Sequence, residues 1–231
     1  MNCAVIVAGG SGTRMGGPVP KQYLLLSGAP ILARTLARFA ACPDVHRIVV
    51  VAPAGDLERC RQDILPLVAT EKEIRLAAGG AERQDSVYQG LLAAGPDVDL
   101  VAVHDAVRPL VTPEEISRCL ALAQSHGACI LAAPAADTLK RASAGGRIQE
   151  TLDRSGVWLA QTPQAFGYTL LLSAHQKARE QGFLATDDAA LAERLGIPVY
   201  ITPGSPKNLK ITTPADLALA EAILAAEEAG G

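Results

Sequence analysis

Short apolar, β-branched runs alternate along this chain with longer stretches in which apolar residues recur three and four positions apart. The runs at 4–7, 47–52, 100–104 and 129–133 read as strands. Between them, 30–41, 57–67, 83–94 and 113–125 carry the helical period, and Pro30 and Pro113 stand where a first helical turn accepts proline. Helical patterns resume at 168–180 and 187–195, followed by a strand at 199–202 and a last helix from 214 to about 228. Alternation of this kind predicts an α/β fold with a mostly parallel sheet covered on both faces. Ligands of such sheets bind at the carboxyl ends of the strands, where a glycine-rich loop follows Val7.

The alternation breaks after Ala133. From Asp137 to Trp158 the chain is polar, contains Gly145-Gly146, and reads as two extended arms around a turn. An excursion of that length is a functional element or an interface more often than a connection. No internal repeat and no linker interrupts the rest, so the expectation is a single domain over 1–231 with a β-arm at about 136–160.

Composition removes several function classes. Of 231 residues, 49% are apolar and 19% charged, a globular balance that predicts a folded chain with a sizeable core. A formal charge of -3 gives no global attraction to nucleic acid or to anionic membranes, so an anionic ligand needs a local cluster of basic residues. The five cysteines show no C-x-x-C spacing and read as small core residues of a reducing compartment. The four histidines lack the close pairing of a zinc site. No window reaches the ~20 apolar residues of a membrane span, and the first apolar run lacks the flank and length of a signal peptide, so a cytoplasmic protein is expected.

The stretch "AVIVAGGSGTRMGGPVPKQ" from Ala4 to Gln22 places small residues and two cations, Arg14 and Lys21, just past the first strand. G-x-G-x-x-G fails, because Met15 stands where the third glycine belongs. The P-loop pattern fails too, since Gly12 and Gly17 are followed by Pro18. The failed fingerprint disfavours a dinucleotide-binding oxidoreductase. What remains is backbone that can approach phosphates closely beside two neutralising charges, or else a tight turn with solvated charges.

Further stretches decide between these. "GGAERQDSV" at 79–87, "HDAVRP" at 104–109 and "NLKITTPADL" at 208–217 all belong at the same sheet edge as the opening loop and "PKQ". Together with "DTLKRA" from Asp137, "LDRSGVW" from Leu152, "QTPQ" from Gln161 and "ATDDA" from Ala185, in order over nearly the whole chain, they resemble the family of 2-C-methyl-D-erythritol 4-phosphate cytidylyltransferases. The resemblance implies a Rossmann-like three-layer nucleotidyltransferase fold that joins CTP to methylerythritol phosphate and releases pyrophosphate, in the non-mevalonate route to isoprenoids. An already ionised phosphate attacks another phosphorus, so the chemistry needs charge neutralisation and in-line positioning more than a protein nucleophile.

Carried over by position, the resemblance assigns Arg14, Lys21, Arg154 and Lys210 to catalysis. It assigns Ala8, Gly9, Gly10, Arg14, Lys21, Gly79, Gly80, Ser86, Asp105 and Ala106 to the nucleotide, and Asp105, Arg108, Thr138, Arg154, Thr162, Thr186 and Lys210 to the acceptor phosphate. Asp105 is the implied ligand of Mg²⁺, or another divalent cation, between phosphates. The β-arm is expected to cross between the subunits of a homodimer, so that Thr138 and Arg154 serve the neighbouring site. Pro18, Pro20 and the bulky Val107 depart modestly from the pattern and remove no charged group. A polyol-phosphate cytidylyltransferase using ribitol phosphate is the alternative with the same nucleotide half-site.

Overall fold

The computed structural model describes residues 1–9 and 19–230; Gly10 and Arg14, two of the expected site residues, lie outside the described residues. In chain order the elements are β1 (Asn2–Val7), a small hairpin of β2 (Leu25–Leu26) and β3 (Ala29–Pro30), α1 (Ile31–Ala41), β4 (Arg47–Ala52) and α2 (Leu57–Arg59). There follow β5 (Glu73–Ala78), α3 (Arg83–Ala94), β6 (Leu100–Asp105), α4 (Pro113–His126), β7 (Ala128–Pro134), β8 (Leu139–Ala142) and β9 (Ile148–Leu152). The last are β10 (Trp158–Gly167), α5 (Tyr168–Glu180), α6 (Asp188–Arg194), β11 (Tyr200–Pro203) and α7 (Pro214–Gly230).

Seven strands form one sheet in the order β11-β7-β10-β6-β1-β4-β5. Every neighbouring pair is parallel except those made by β10, which runs antiparallel to β6 and β7. Alternation along β1 divides the core between the two faces. Ala4 and Ile6 pack with Leu32, Leu36, Phe39, Ile116 and Leu120 of α1 and α4, whereas Cys3 and Val5 pack with Val87, Leu91 and Leu171 of α3 and α5. The expected mostly parallel sheet with helices on both faces is the observed one.

Local chemistry fixes the helix ends that matter for the site. Thr112 caps α4 by accepting from Glu115 N–H at 3.2 Å while Glu115 accepts from Thr112 N–H at 3.0 Å, with Pro113 in the first turn. Glu82 and Asp85 form the same reciprocal box at the start of α3. This box holds the α3 N-terminus at the carboxyl edge of the sheet.

Three elements depart from the sequence reading. The single helix expected at 57–67 is α2 followed by a π turn at Cys60–Ile64 and a 3₁₀ turn at Leu65–Leu67, because Pro66 has no N–H to continue an α-helical ladder. Strand β5 lies outside the four runs, since its Glu73 and Arg75 belong to a partly exposed edge strand. Strand β10 is hidden in the sequence by Gln161-Thr-Pro-Gln at its centre. Its register against β7 shifts between Ala160 and Gln164, an irregularity that tolerates proline inside a strand. The excursion contains the expected pair of arms, β8 and β9, which form a separate and largely exposed antiparallel hairpin.

Candidate active site

Strands β1 and β6 end level with each other, Val7 opposite Asp105. Ala8 and Gly9 just past β1, Lys21 and Gln22, Ala106 and Val107 just past β6, the loop from β5 into α3, and Lys210 line a cavity of about 350 Å³. Eight of the expected residues line it: Ala8, Gly9, Lys21, Gly80, Ser86, Asp105, Ala106 and Lys210.

The β5–α3 wall is close-packed backbone. Ser86 Oγ accepts from Gly80 N–H at 3.2 Å and donates to Glu82 O at 3.2 Å. A Cβ on Gly79 would meet Ser86 Oγ at 2.8 Å, and one on Gly80 would meet Asp85 Cβ at 2.3 Å, so the double glycine is required by this turn whatever ligand it faces. On the opposite wall, Lys21 opens a 3₁₀ turn, Lys21–Tyr23, that is pinned at both sides. Buried Gln22 donates to Ala8 O at 2.8 Å, and Tyr23 OH donates to Asp56 Oδ2 at 3.1 Å with the Arg59 guanidinium 4.1 Å above its ring.

Charge converges on the floor. Asp105 Oδ2 accepts from Lys210 Nζ at 2.7 Å and Oδ1 from Arg83 Nε at 3.2 Å. Burial pushes the Asp105 carboxyl up, but Arg83 and Lys210 outweigh it and hold the group well below the usual carboxylate range. Arg83 extends the network by donating to Asp188 Oδ2 at 2.8 Å, and His175 Nε2 lies 3.1 Å from Asp188 Oδ1. Asp188 is 1% exposed, yet Arg83 and then His175 overcome the effect of burial and keep its pKa lowered. Arg108 Nε is buried without a hydrogen-bond partner among the described residues, 3.9 Å from Asp105 Oδ2. Four cations, Lys21, Arg83, Arg108 and Lys210, against the carboxylates of Glu82, Asp105 and Asp188 leave one surplus positive charge at the cavity among the described residues. This environment suits a polyanion.

The remaining expected residues among those described do not line the cavity. Gly79 abuts its wall. Thr162 is buried behind Asp105, with its hydroxyl on Asp105 N–H and His104. Thr186 is exposed, one residue before the Asp187 cap of α6. Thr138 and Arg154 are exposed at the base of the β8–β9 hairpin, where Arg154 donates to Ala136 O. Sequence reasoning missed Arg83, Gln22 and Asp188. Arg83 stood inside the "GGAERQDSV" stretch, and a cation in the first turn of a helix at the carboxyl edge was the available signal.

Among the described residues no group of three or more His, Cys, Asp or Glu side chains could hold a metal ion. Two carboxylates line the cavity, Glu82 on the β5–α3 wall and Asp105 on the floor; Asp105 fits magnesium that arrives with phosphates, because that ion takes one or two protein carboxylates and draws its other ligands from phosphate and water.

Known proteins resemble this chain over nearly its whole length. The profile of the family described as IspD: 2-C-methyl-D-erythritol 4-phosphate cytidylyltransferase matches residues 2–226. The chain is 45% identical to the enzyme of that name from Pelotomaculum thermopropionicum, covering 99% of this chain and 98% of the relative. It is 47% identical to the one from Syntrophus aciditrophicus, covering 97% and 96%. Among solved structures, the 4-diphosphocytidyl-2C-methyl-D-erythritol synthase of Anaerococcus prevotii superposes with a TM-score of 0.85 at 32% identity over 96% of this chain and 95% of the other. The 2-C-methyl-D-erythritol 4-phosphate cytidylyltransferase of Thermus thermophilus gives 0.78 at 35% identity over 95% and 97%. The chain belongs to the 2-C-methyl-D-erythritol 4-phosphate cytidylyltransferase family.

Proposed function

We propose that this chain transfers the cytidylyl group of CTP to 2-C-methyl-D-erythritol 4-phosphate, giving 4-diphosphocytidyl-2-C-methyl-D-erythritol and pyrophosphate. The observation that carries the reading is the cavity at the carboxyl ends of β1 and β6, where close-packed backbone on one wall faces Lys21 on another and surplus positive charge lies on the floor. In the reaction an oxygen of the acceptor phosphate bonds to the α-phosphorus of CTP as the bond from that phosphorus to the pyrophosphate oxygen breaks. Negative charge grows on the non-bridging and leaving oxygens, so fixed cations stabilise the transition state most.

The residue roles follow from that chemistry. Backbone of Ala8 and Gly9 follows the phosphates and Lys21 neutralises the α-phosphate and pyrophosphate; Gly10 and Arg14, outside the described residues, keep the roles that the resemblance implies. Gly79, Gly80, Ser86 and Ala106 receive the nucleoside. Lys210 and Arg108 hold the acceptor phosphate, with Thr186 at its rim. Asp105 holds the divalent cation, which when bound supplies further neutralisation of phosphate charge. Thr138 and Arg154 reach the partner's cavity in a homodimer with shared sites; their exposure at the base of the hairpin supports that reading. The hairpin is then an arm of a single cytidylyltransferase domain over 1–231.

Five buried, unpaired thiols favour a reducing, cytoplasmic setting, and no described helix is long and apolar enough to cross a membrane. Ribitol phosphate as acceptor finds no support in the relatives. The test is pyrophosphate release from CTP, UTP, ATP and GTP with methylerythritol phosphate, with and without EDTA. Turnover with CTP that EDTA abolishes and magnesium restores is expected. Equal turnover of ATP, or no turnover of CTP, overturns the reading.

A further inference from the structure

Behind the cavity floor, a directed chain of hydrogen bonds joins two residues that do not line it. Where β10 slips register, Thr162 Oγ1 accepts from Asp105 N–H at 3.1 Å and lies 3.0 Å from His104 Nδ1. On the other side of the imidazole, His104 Nε2 is 3.1 Å from Arg108 O. A carbonyl oxygen only accepts, so Nε2 carries the hydrogen. The Thr162 hydroxyl then has its own hydrogen to give, and the bare Nδ1 receives it. The direction is therefore set throughout: Asp105 N–H to Thr162, Thr162 O–H to His104 Nδ1, His104 Nε2–H to Arg108 C=O. The ring is fully buried against Phe39, with centroids 4.7 Å apart, and burial pushes its pKa down to about 3.

Both ends of this chain are working parts of the cavity. The Asp105–Arg108 turn, closed by Arg108 N–H on Asp105 O at 3.1 Å, carries the floor carboxylate and the buried guanidinium. Thr162 grips a second loop through its carbonyl, which accepts from Asn208 Nδ2 at 2.9 Å. Asn208 O in turn accepts from Arg108 at 2.7 Å, two residues before Lys210. One threonine thus orders the turn that bears Asp105 and the loop that bears Lys210.

We propose that Thr162 and His104 are positioning residues for cytidylyl transfer, holding Asp105, Arg108 and Lys210 in one mutual arrangement through this relay. The resemblance assigns Thr162 to the acceptor phosphate; its hydroxyl is committed to Asp105 and His104, so it acts through them. The proposal rests on the reading of this cavity as the cytidylyl-transfer site.

The test combines Thr162→Val, which keeps the side-chain shape, with Thr162→Ser, which keeps the hydroxyl. Histidine ¹⁵N NMR of the wild-type protein should show His104 protonated at Nε2 and bare at Nδ1, with the Nδ1 signal displaced in Thr162→Val. Thr162→Val should lower kcat by about 10- to 100-fold, the scale of a small misplacement of reacting groups, with CTP KM changed less than about threefold and a cooperative melt retained. Thr162→Ser should return kcat to within about threefold of wild type. Wild-type kcat in Thr162→Val, a wild-type Nδ1–H tautomer, or a kcat loss in Thr162→Ser as large as in Thr162→Val overturns the relay. Should Thr162→Val fail to fold, the tautomer and the kcat of Thr162→Ser still decide. A wild-type protein that makes no product from CTP and methylerythritol phosphate overturns the reaction itself, an outcome separate from any of these.

Discussion

Arg83 ties three elements together, since its guanidinium at the start of α3 bonds Asp105 at the end of β6 and Asp188 at the start of α6. Arg83→Met keeps the aliphatic stem and removes the charge, leaving the fully buried Asp188 carboxylate with His175 alone. Stripping one partner from a buried ion pair costs about 3–5 kcal/mol. Because Lys210 still neutralises Asp105 and His175 still touches Asp188, the lower end, about 3 kcal/mol, applies here. For a chain of this size each kcal/mol moves the melting temperature by about 2–4 °C, so Tm should fall by about 6–12 °C. Arg83→Lys cannot span both carboxylates with one ammonium and should lose roughly half as much.

The sign with pH follows from Asp188. Its folded pKa is depressed in the wild type, so the stability it contributes is complete above the unfolded value of about 3.9 and is lost as pH falls through the folded value. In Arg83→Met burial goes unopposed by the guanidinium and the carboxyl takes up a proton at higher pH, so the Tm gap to wild type should narrow from pH 8 toward pH 4. Thermal melts across that range are the assay. A gap under about 2 °C at pH 8, or one that stays constant with pH, would refute the account of Arg83 as the partner of a buried carboxylate.

Lys21→Ala should lower kcat at least about a hundredfold in steady-state pyrophosphate release, the loss of one preorganised electrostatic donor; unchanged kcat with raised CTP KM would make it a binding residue only. Gly90→Ala places a Cβ 2.4 Å from Val5 Cγ1 and 2.9 Å from Val51 Cγ2, so α3 must move off the sheet, at a loss of about 1–3 kcal/mol in denaturant unfolding. A variant as stable as wild type would contradict that packing. Co-expressed Arg154→Ala and Lys21→Ala chains, isolated as the mixed dimer, should recover activity in about half of the sites, because one site of each heterodimer carries both defects and the other neither. A mixed dimer as inactive as each parent places Arg154 at its own chain's cavity.

Much of this fold is legible as periodicity because both faces of the sheet are covered. Strands β1, β4 and β6 are apolar apart from Asn2 and Arg47 at their starts and His104 and Asp105 at the end of β6, and the helices between them show the spacing of a buried stripe. β10 was not legible, since its polar centre, Gln161 to Gln164, is buried by hydrogen bonds that reach other elements: Gln161 to Ser205 O, Thr162 to His104, and Gln164 to Asp187. Polar residues satisfied at long range look like a loop until the partners are known. The same limit governed the site. Asp105, Lys210 and the double glycine were readable from motifs at one sheet edge, whereas the bond from Arg83 to Asp188 joins residues far apart in sequence, and nothing local announces it.

The central claim is the identity of the two substrates. The most direct measurement follows ³¹P NMR of purified protein with CTP, magnesium and either methylerythritol phosphate or ribitol 5-phosphate, alongside kcat/KM for each acceptor. The account predicts loss of the CTP signals with methylerythritol phosphate, equimolar appearance of pyrophosphate and a CDP-alcohol diphosphate, and a kcat/KM at least about tenfold above that for ribitol phosphate, a difference of about 1.4 kcal/mol in transition-state binding. A higher kcat/KM with ribitol phosphate, or CTP consumed without a CDP-alcohol, would contradict it.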